Sequence, residues 1–153
     1  RCLQVVMITG QRAGEITGLQ PDQYDGKSLF WPTTKTGKPH FIPVAARGVT
    51  ILDECMPTLF SGIQASHLRQ LCMAFVDESG IIGFTTRDLR RTWKTLAGEA
   101  GVSKTDRDLM QNHSQSDISS RHYDRYQYWR EKQAAVACWD AWVDQLLTRQ
   151  PAL

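Results

Sequence analysis

Residues 86–100, with the sequence TRDLRRTWKTLAGEA, constrain the fold more than any other segment of the chain. Four apolar residues recur there every three or four positions, which is the period of a helix with one buried face. They are Leu89, Trp93, Leu96 and Ala100. Three cations, Arg87, Arg91 and Lys94, fall on another face, and Arg90 falls on the border between the two. At that border, Arg90 can pack its alkyl stem on the core while its guanidinium faces a site.

The other patterns predict a mainly α chain with one small antiparallel β-hairpin. SLFWP and HFIPV flank TTKTGK, in which Thr36 and Gly37 mark a turn, so two short strands are expected there. Apolar residues at helical spacing predict the remaining helices. These are expected near residues 3–10, 13–18, 49–56, 68–75, 103–111 and 129–147. Since the sequence contains no repeat, low-complexity tract or linker, residues 1–153 are expected to form a single domain.

The length of 153 residues suits one domain with a proper core. No apolar run reaches the roughly 20 residues that a membrane span needs, and the first residues, RCLQVVMITG, lack the pattern of a signal peptide. Because Arg1 opens directly into a helical pattern without a capping residue, the chain is expected to be a fragment of a longer protein.

The four cysteines lie far apart, in apolar contexts, and none forms a CxxC pair. This excludes the usual zinc and thioredoxin-type motifs. They are expected to be buried structural thiols of a protein from a reducing compartment.

The net charge of +2 does not by itself indicate a nucleic-acid partner. The basic residues are clustered, however, within residues 87–94, 104–107 and 121–132. Such clusters favour a basic face on an otherwise balanced protein. Solvated helix faces are the alternative explanation.

Six polar residues occupy positions where structure alone gives them no obvious task. They are Arg12, Lys35, Arg87, Arg90, His113 and Tyr123. Together they suit a phosphodiester: arginines bind phosphate oxygens bidentately, lysine or histidine can protonate a leaving alkoxide, and a tyrosine can attack phosphorus. No metal or other cofactor is required, because arginines offset the charge of the transition state. Each residue taken alone has a plainer explanation as a surface charge, a loop histidine or an interface aromatic.

Four segments, taken in order, resemble the successive motifs of the tyrosine recombinases, the phage-integrase family. They are TGQRAGEITGL, TKTGKPHFIPV, TTRDLRRTWKTLAGEAGV and MQNHSQSDISSRHYDRY, spanning roughly residues 9–128. The chain looks most similar to integrases of temperate phages and genomic islands. The resemblance implies the tyrosine recombinase catalytic-domain fold and a DNA strand-breaking enzyme that works through a 3′-phosphotyrosine, in the bacterial or phage-host cytoplasm. It also implies that N-terminal DNA-binding domains are absent from this chain.

The resemblance assigns a role to each residue of the set. Arg12 and Arg90 match the two catalytic arginines, and Glu15 matches the acidic residue that braces the first motif. Lys35 matches the hairpin lysine that protonates the leaving 5′-oxygen, with Lys38 as its fallback. His113 matches the histidine of the motif usually written LGH, here QNH, and Tyr123 matches the nucleophile. The cations expected to contact DNA are Lys38, Arg91, Lys94, Arg121 and Arg125.

The sequence departs from the family pattern at two places. Arg87 occupies the position where a histidine usually stands three residues before the second arginine, so an electrostatic role is expected for it. Tyr123 follows His113 by ten residues rather than the common nine, which leaves Tyr126 as a rival nucleophile. Tyr128 is expected to pack or to touch DNA.

The resemblance further implies double-stranded attachment-site DNA as the partner, assembly as a tetramer on that DNA, and accessory DNA-bending proteins as possible further partners. Two alternatives stay open: a nicking-closing enzyme similar to type IB topoisomerases, and a DNA-binding module that has kept the fold without the chemistry. Trp139 and Trp142 lie on one stripe of the last helix, where they suit either the core or a neighbouring protomer.

Overall fold

The chain is mainly helical in the residues that the computed structural model describes, 1–113 and 127–149. These contain one two-stranded antiparallel sheet, β1 Ser28–Trp31 and β2 His40–Pro43. The helices are α1 Cys2–Thr9, α2 Ala13–Thr17, α3 Ala46–Cys55, α4 Ala65–Ser79, α5 Thr86–Glu99, α6 Lys104–Met110 and α7 Trp129–Arg149. The mainly α architecture with a small hairpin, expected from the sequence, is thereby confirmed.

Helix α5 lies at the centre of the packing, as its apolar stripe predicts. Trp93 and Ala97 are fully buried. At its first turn, the Asp88 carboxylate accepts hydrogen bonds from the Thr85 backbone N–H, at 2.9 Å, and from the Thr85 hydroxyl, at 2.6 Å. These bonds cap the N-terminus of the helix.

Gly10 ends helix α1 in the left-handed conformation, with φ of 67°. A Cβ atom at this position would lie 2.5 Å from the nearest carbon of the Trp93 ring. Glycine therefore satisfies two requirements here, the positive φ and the close approach of α1 to α5.

The hairpin pairs Leu29 with Ile42 and Trp31 with His40. Leu29 and Ile42 are fully buried, and the rings of Trp31 and His40 stack with centroids 5.8 Å apart. One face of the hairpin thus joins the core, and the turn of residues 32–39 projects beyond the strands.

Helix α7 packs on the core of its own chain. Trp139 is 2% exposed and meets Trp93 edge-on, with ring centroids 6.2 Å apart. Arg47 of α3 pairs with Asp140 and Asp144 of α7. The interpretation of Trp139 as a core residue is therefore confirmed.

The four cysteines are free thiols. Cys2 and Cys72 are buried, whereas Cys55 and Cys138 are only partly so, because both lie at the margin of the core. The expectation that all four are buried was wrong for these two. No helix within residues 1–113 and 127–149 is long and apolar enough to cross a membrane.

Candidate active site

A cleft of about 350 Å³ collects five of the six residues that the sequence nominated for catalysis. Its lining consists of Arg12, Ala13, Lys35, Thr86, Arg87, Arg90 and His113. These residues come from the start of α2, the hairpin turn, the first turns of α5 and the segment after α6. Within the described part of the chain, this lining holds no carboxylate, so the cleft suits an anion.

Arg12 is held at the N-terminus of α2 by Glu15. The Glu15 carboxylate accepts from the Arg12 guanidinium at 2.9 Å and from the Arg12 backbone N–H at 3.3 Å. The Glu15 side chain is 9% exposed and that of Arg12 is 26% exposed. Glu15 therefore braces the guanidinium from behind and leaves it accessible from the cleft, as the bracing role expected for Glu15 requires.

Arg90 is the most firmly held cation of the cleft. Its Nη1 donates to the Gly10 carbonyl at 2.8 Å, and its Nη2 donates to the Gln111 carbonyl at 2.5 Å and to His113 Nε2 at 3.2 Å. Burial, and then the nearby charge of Arg12, lower the pKa of Arg90 to about 10. The guanidinium thus stays charged at neutral pH, in an orientation set by two backbone carbonyls.

A buried polar frame supports Arg90 from behind. Gln111 donates to the carbonyls of Arg90, at 2.9 Å, and Gly10, at 3.3 Å. The Met110 carbonyl accepts from Gln11 at 2.7 Å and from His40 Nε2 at 3.0 Å. Because a carbonyl only accepts, His40 carries its proton on Nε2. Burial, and then the charge of Lys132, lower the pKa of His40 to about 3, so this ring is neutral.

His113 faces the cleft between two charged groups. Its Nε2 meets Arg90, while its Nδ1 lies 3.1 Å from Asp108 Oδ1 and 3.1 Å from Lys94 Nζ. Lys94 also donates to Asp108 Oδ1 at 2.5 Å, and Lys104 donates to Asp108 Oδ2 at 3.1 Å. Lys94, expected to contact DNA, thus lies in an ion pair beside His113.

Several pKa values shift in this cluster. Burial lowers the pKa of His113, and the charges of Lys94 and Arg90 lower it further against the opposing effect of Asp108. Burial acts to raise the pKa of Asp108, but hydrogen bonds from Lys94, Lys104 and His113 outweigh it and hold that pKa well below its usual range. Asp108 is therefore ionised and His113 is neutral at neutral pH.

Lys35 is exposed in the hairpin turn, and the turn is tethered to the segment that carries His113. Asn112 Nδ2 donates to Thr34 Oγ1 at 3.0 Å and to Thr36 Oγ1 at 3.3 Å. Thr34 in turn donates to the Lys38 carbonyl at 2.8 Å. The two residues that flank Lys35 are thus anchored, while its ammonium is left at the cleft.

Arg87 lies at the junction of this cleft with a second groove of about 550 Å³. Arg91 and Arg69 also line that groove. Arg91 has a 69% exposed side chain and pairs with Asp88 at 3.2 Å. The basic surface thus continues from the cleft along the start of α5.

Some predicted residues lie outside the part of the chain that the structure describes. They are Tyr123, Tyr126, Arg121 and Arg125. The expected nucleophile and its rival are therefore still predictions from sequence, whereas Tyr128 lies just before α7. Lys38 is exposed on the hairpin turn, close in sequence to Lys35.

No protein-family model and no curated protein matches the chain. The motifs and the geometry of the cleft are therefore the features that bear on the function of the chain.

The structure adds site residues that the motifs did not single out. Gln11 and Asn112 stand next to predicted residues, and Gln111 stands two residues before His113. This proximity in sequence is the signal that could have found them. Asp108 lies five residues before His113 and had no such signal. His40 looked like an ordinary strand residue.

Proposed function

We propose that this chain is the catalytic domain of a site-specific DNA recombinase, an integrase that cuts and rejoins DNA strands through a 3′-phosphotyrosine. The observation that carries the proposal is the convergence of Arg12, Lys35, Arg87, Arg90 and His113 on one cleft. Motif spacing nominated these residues one by one, and the fold brings them together from four separate segments.

The charge of the cleft suits a phosphodiester in its transition state. Arg12 and Arg90 offer preorganised donors, one braced by a carboxylate and the other by two backbone carbonyls. Such fixed donors stabilise the charge that develops on the non-bridging oxygens without having to reorganise. Arg87 adds a third guanidinium, which supports the electrostatic role expected for it.

In the proposed reaction, the hydroxyl of Tyr123 loses its proton to solvent as it attacks phosphorus, and the bond to the 5′-oxygen breaks. Lys35 supplies the proton that the departing 5′-oxygen needs. The 3′-phosphotyrosine conserves the energy of the broken bond, so attack by a 5′-hydroxyl rejoins a strand. The same steps would let the enzyme integrate or excise a mobile element.

The proposed partner is double-stranded attachment-site DNA, on which the protein would assemble as a tetramer, with accessory DNA-bending proteins as further candidates. The exposed cations Arg91 and Lys38 support a duplex-binding surface around the cleft. Because phosphate contacts release counterions, affinity for DNA should fall steeply as the salt concentration rises. The proposed location is the cytoplasm of a bacterium, on the nucleoid.

Covalent trapping tests the proposal. The natural full-length protein is incubated with nicked duplexes that cover both junctions of the genetic element that encodes it. A nick close to the cleavage site lets the short 5′-product diffuse away, so the phosphotyrosyl adduct accumulates. The adduct is then digested and the modified peptide is sequenced, with an established integrase and its own site as the control.

Phosphate on Tyr123 is the expected result. Phosphate on Tyr126 would keep the reaction and overturn the choice of nucleophile. DNA binding without any adduct, while the control integrase is trapped, would contradict the proposal and favour a non-catalytic module. Relaxation of supercoiled DNA of any sequence, without strand exchange between sites, would instead favour a topoisomerase.

A further inference from the structure

The hydrogen bonds around His113 favour one neutral form of the ring. Arg90 Nη2, a group that only donates, lies 3.2 Å from Nε2. Nε2 must therefore present its lone pair, and the proton must sit on Nδ1. On that side the Asp108 carboxylate, which only accepts when ionised, lies 3.1 Å away and takes the proton.

The opposite form would leave two unfavourable contacts. A proton on Nε2 would point at the Arg90 donor, and the bare lone pair of Nδ1 would face the carboxylate oxygen of Asp108. Its one compensation would be a hydrogen bond from Lys94, 3.1 Å from Nδ1. Lys94 does not need that bond, because it already donates to Asp108 at 2.5 Å.

We propose that Asp108 is a positioning residue that holds the proton of His113 on Nδ1, so that the Nε2 lone pair accepts from Arg90 and helps to fix that guanidinium at the cleft. The consequence for cleavage rests on the proposed function, whereas the inference about the ring does not. Asp108, His113 and Arg90 thus form a chain of hydrogen bonds that ends on a proposed phosphate-binding group.

The proton transfers of the proposed cleavage do not pass through His113, because its Nε2 lone pair already accepts from Arg90. As the attacking hydroxyl forms its bond to phosphorus, its proton passes to solvent. The bond between phosphorus and the 5′-oxygen breaks, and Lys35 gives that oxygen a proton. Rejoining runs the same transfers in reverse. Protonation of His113 would place an N–H on Nε2 against the Arg90 donor and so weaken the hold of the ring on that guanidinium.

The charged groups around His113 fix the sign of the pH dependence. Arg90 and Lys94 of α5 disfavour the protonated ring, and Asp108 of α6 favours it. The cleavage rate should therefore fall at acidic pH, where His113 becomes protonated. Replacing the Asp108 carboxylate by an amide removes the favourable charge, so this fall should move to lower pH.

The first test reads the ring directly, without DNA. Long-range ¹H–¹⁵N NMR of the 153-residue chain distinguishes a protonated from a bare ring nitrogen, and a His113→Gln variant identifies the His113 signals among the four histidines. The proton should reside on Nδ1 in the unmodified protein and in Asp108→Asn, whose amide oxygen can still accept. It should be shared between both nitrogens in Asp108→Ala. Lys104→Gln, which removes another partner of Asp108, should change nothing.

A proton found on Nε2 in the unmodified protein would overturn the inference, as would an Asp108→Ala ring identical to it. The backbone spectra of the same samples show whether each variant is folded. Asp108→Asn is nearly isosteric with the unmodified residue, so it should keep the fold even if Asp108→Ala does not.

The second test measures the pH profile of cleavage on suicide duplexes. Asp108→Ala should cleave about 10-fold more slowly, as part of the roughly 10²–10³-fold that one preorganised donor contributes. Asp108→Asn should recover much of that rate. The acidic limb of its pH profile should lie at lower pH than that of the unmodified protein. An unmoved acidic limb would overturn the role of Asp108 and His113 in positioning Arg90. A protein with the expected ring but no cleavage at any pH would sink the proposed function alone.

Discussion

The side-chain amide of Asn112 donates to the hydroxyl groups of Thr34, at 3.0 Å, and Thr36, at 3.3 Å. The two threonines flank Lys35, so one side chain ties both sides of the lysine to the segment that carries His113. Asn112 has φ of 49°, a left-handed conformation that asparagine tolerates better than most residues. These hydrogen bonds therefore link the position of Lys35, the proposed acid, to that of His113.

Replacing Asn112 by glycine should slow cleavage by about tenfold and lower the free energy of unfolding by about 1–3 kcal/mol. Glycine keeps the left-handed backbone, while the two lost hydrogen bonds have a net value of about 0.5–1.5 kcal/mol each. Single-turnover cleavage and thermal unfolding measure the two effects. On a substrate with sulfur in place of the leaving 5′-oxygen, the leaving group needs no acid. The tenfold loss of cleavage rate should therefore largely vanish on that substrate. A defect of equal size on both substrates would contradict a role in positioning Lys35.

Arg12→Lys should slow cleavage by about 100-fold while affinity for the duplex changes little. Lysine keeps the charge and can still pair with Glu15, but it lacks the fork that binds two phosphate oxygens. Loss of one preorganised donor costs about 10²–10³-fold when that donor acts mainly in the transition state. Single-turnover rates and binding isotherms on one duplex test this. Arg149→Lys, at the exposed end of α7, is the matched control. Equal losses in rate and affinity would argue for a simple binding role.

Much of the fold follows from local patterns in the sequence. The stripe of Trp93 and its neighbours predicted α5. Serine is also a typical helix N-cap, and the Ser103 hydroxyl caps α6 by accepting from the Asp106 backbone N–H at 3.1 Å. The hairpin followed from two short apolar segments and from the turn at Thr36 and Gly37. Such features depend on residues within one or two turns of each other, which is why sequence reveals them.

The arrangement of the site was less accessible from sequence. The motifs nominated Arg90, but its orientation depends on the carbonyls of Gly10 and Gln111, which only tertiary packing brings near it. Asp108 meets His113 because the chain turns back after α6, at the left-handed Asn112. Propensity does not report buried polar contacts of this kind, since they arise from the fold as a whole.

Acid should destabilise the fold through His40. Its pKa is about 3 in the folded protein and about 6.5 in an unfolded chain. Between these values the unfolded chain holds more protons, so the free energy of unfolding falls as the pH drops from about 6.5 toward 3. From about pH 7 to about pH 5 the loss from this one group approaches roughly 2 kcal/mol.

Denaturant unfolding at both pH values checks this expectation. His40→Gln can still donate to the Met110 carbonyl and has no proton to gain, so its stability should change less between the two pH values. His67→Gln, at an exposed position of α4, should behave like the unmodified protein. If His40→Gln keeps the full pH dependence, the buried ring is not its source.

Gly10→Ala should destabilise the protein more than Gly26→Ala does. Both glycines have positive φ, 67° and 84°, so the backbone strain of roughly 1–2 kcal/mol is common to both. Only at Gly10 does the new methyl meet another residue, at 2.5 Å from the Trp93 ring, whereas nothing lies within 4 Å of it at Gly26. Overpacking of this kind adds about 1–3 kcal/mol. Denaturant unfolding of the two variants isolates that difference, and the tryptophan emission, to which Trp93 contributes, should shift only in Gly10→Ala. Equal losses of stability would mean that α1 and α5 can move apart without penalty, and that the carbonyl of Gly10 is not a rigid support for Arg90.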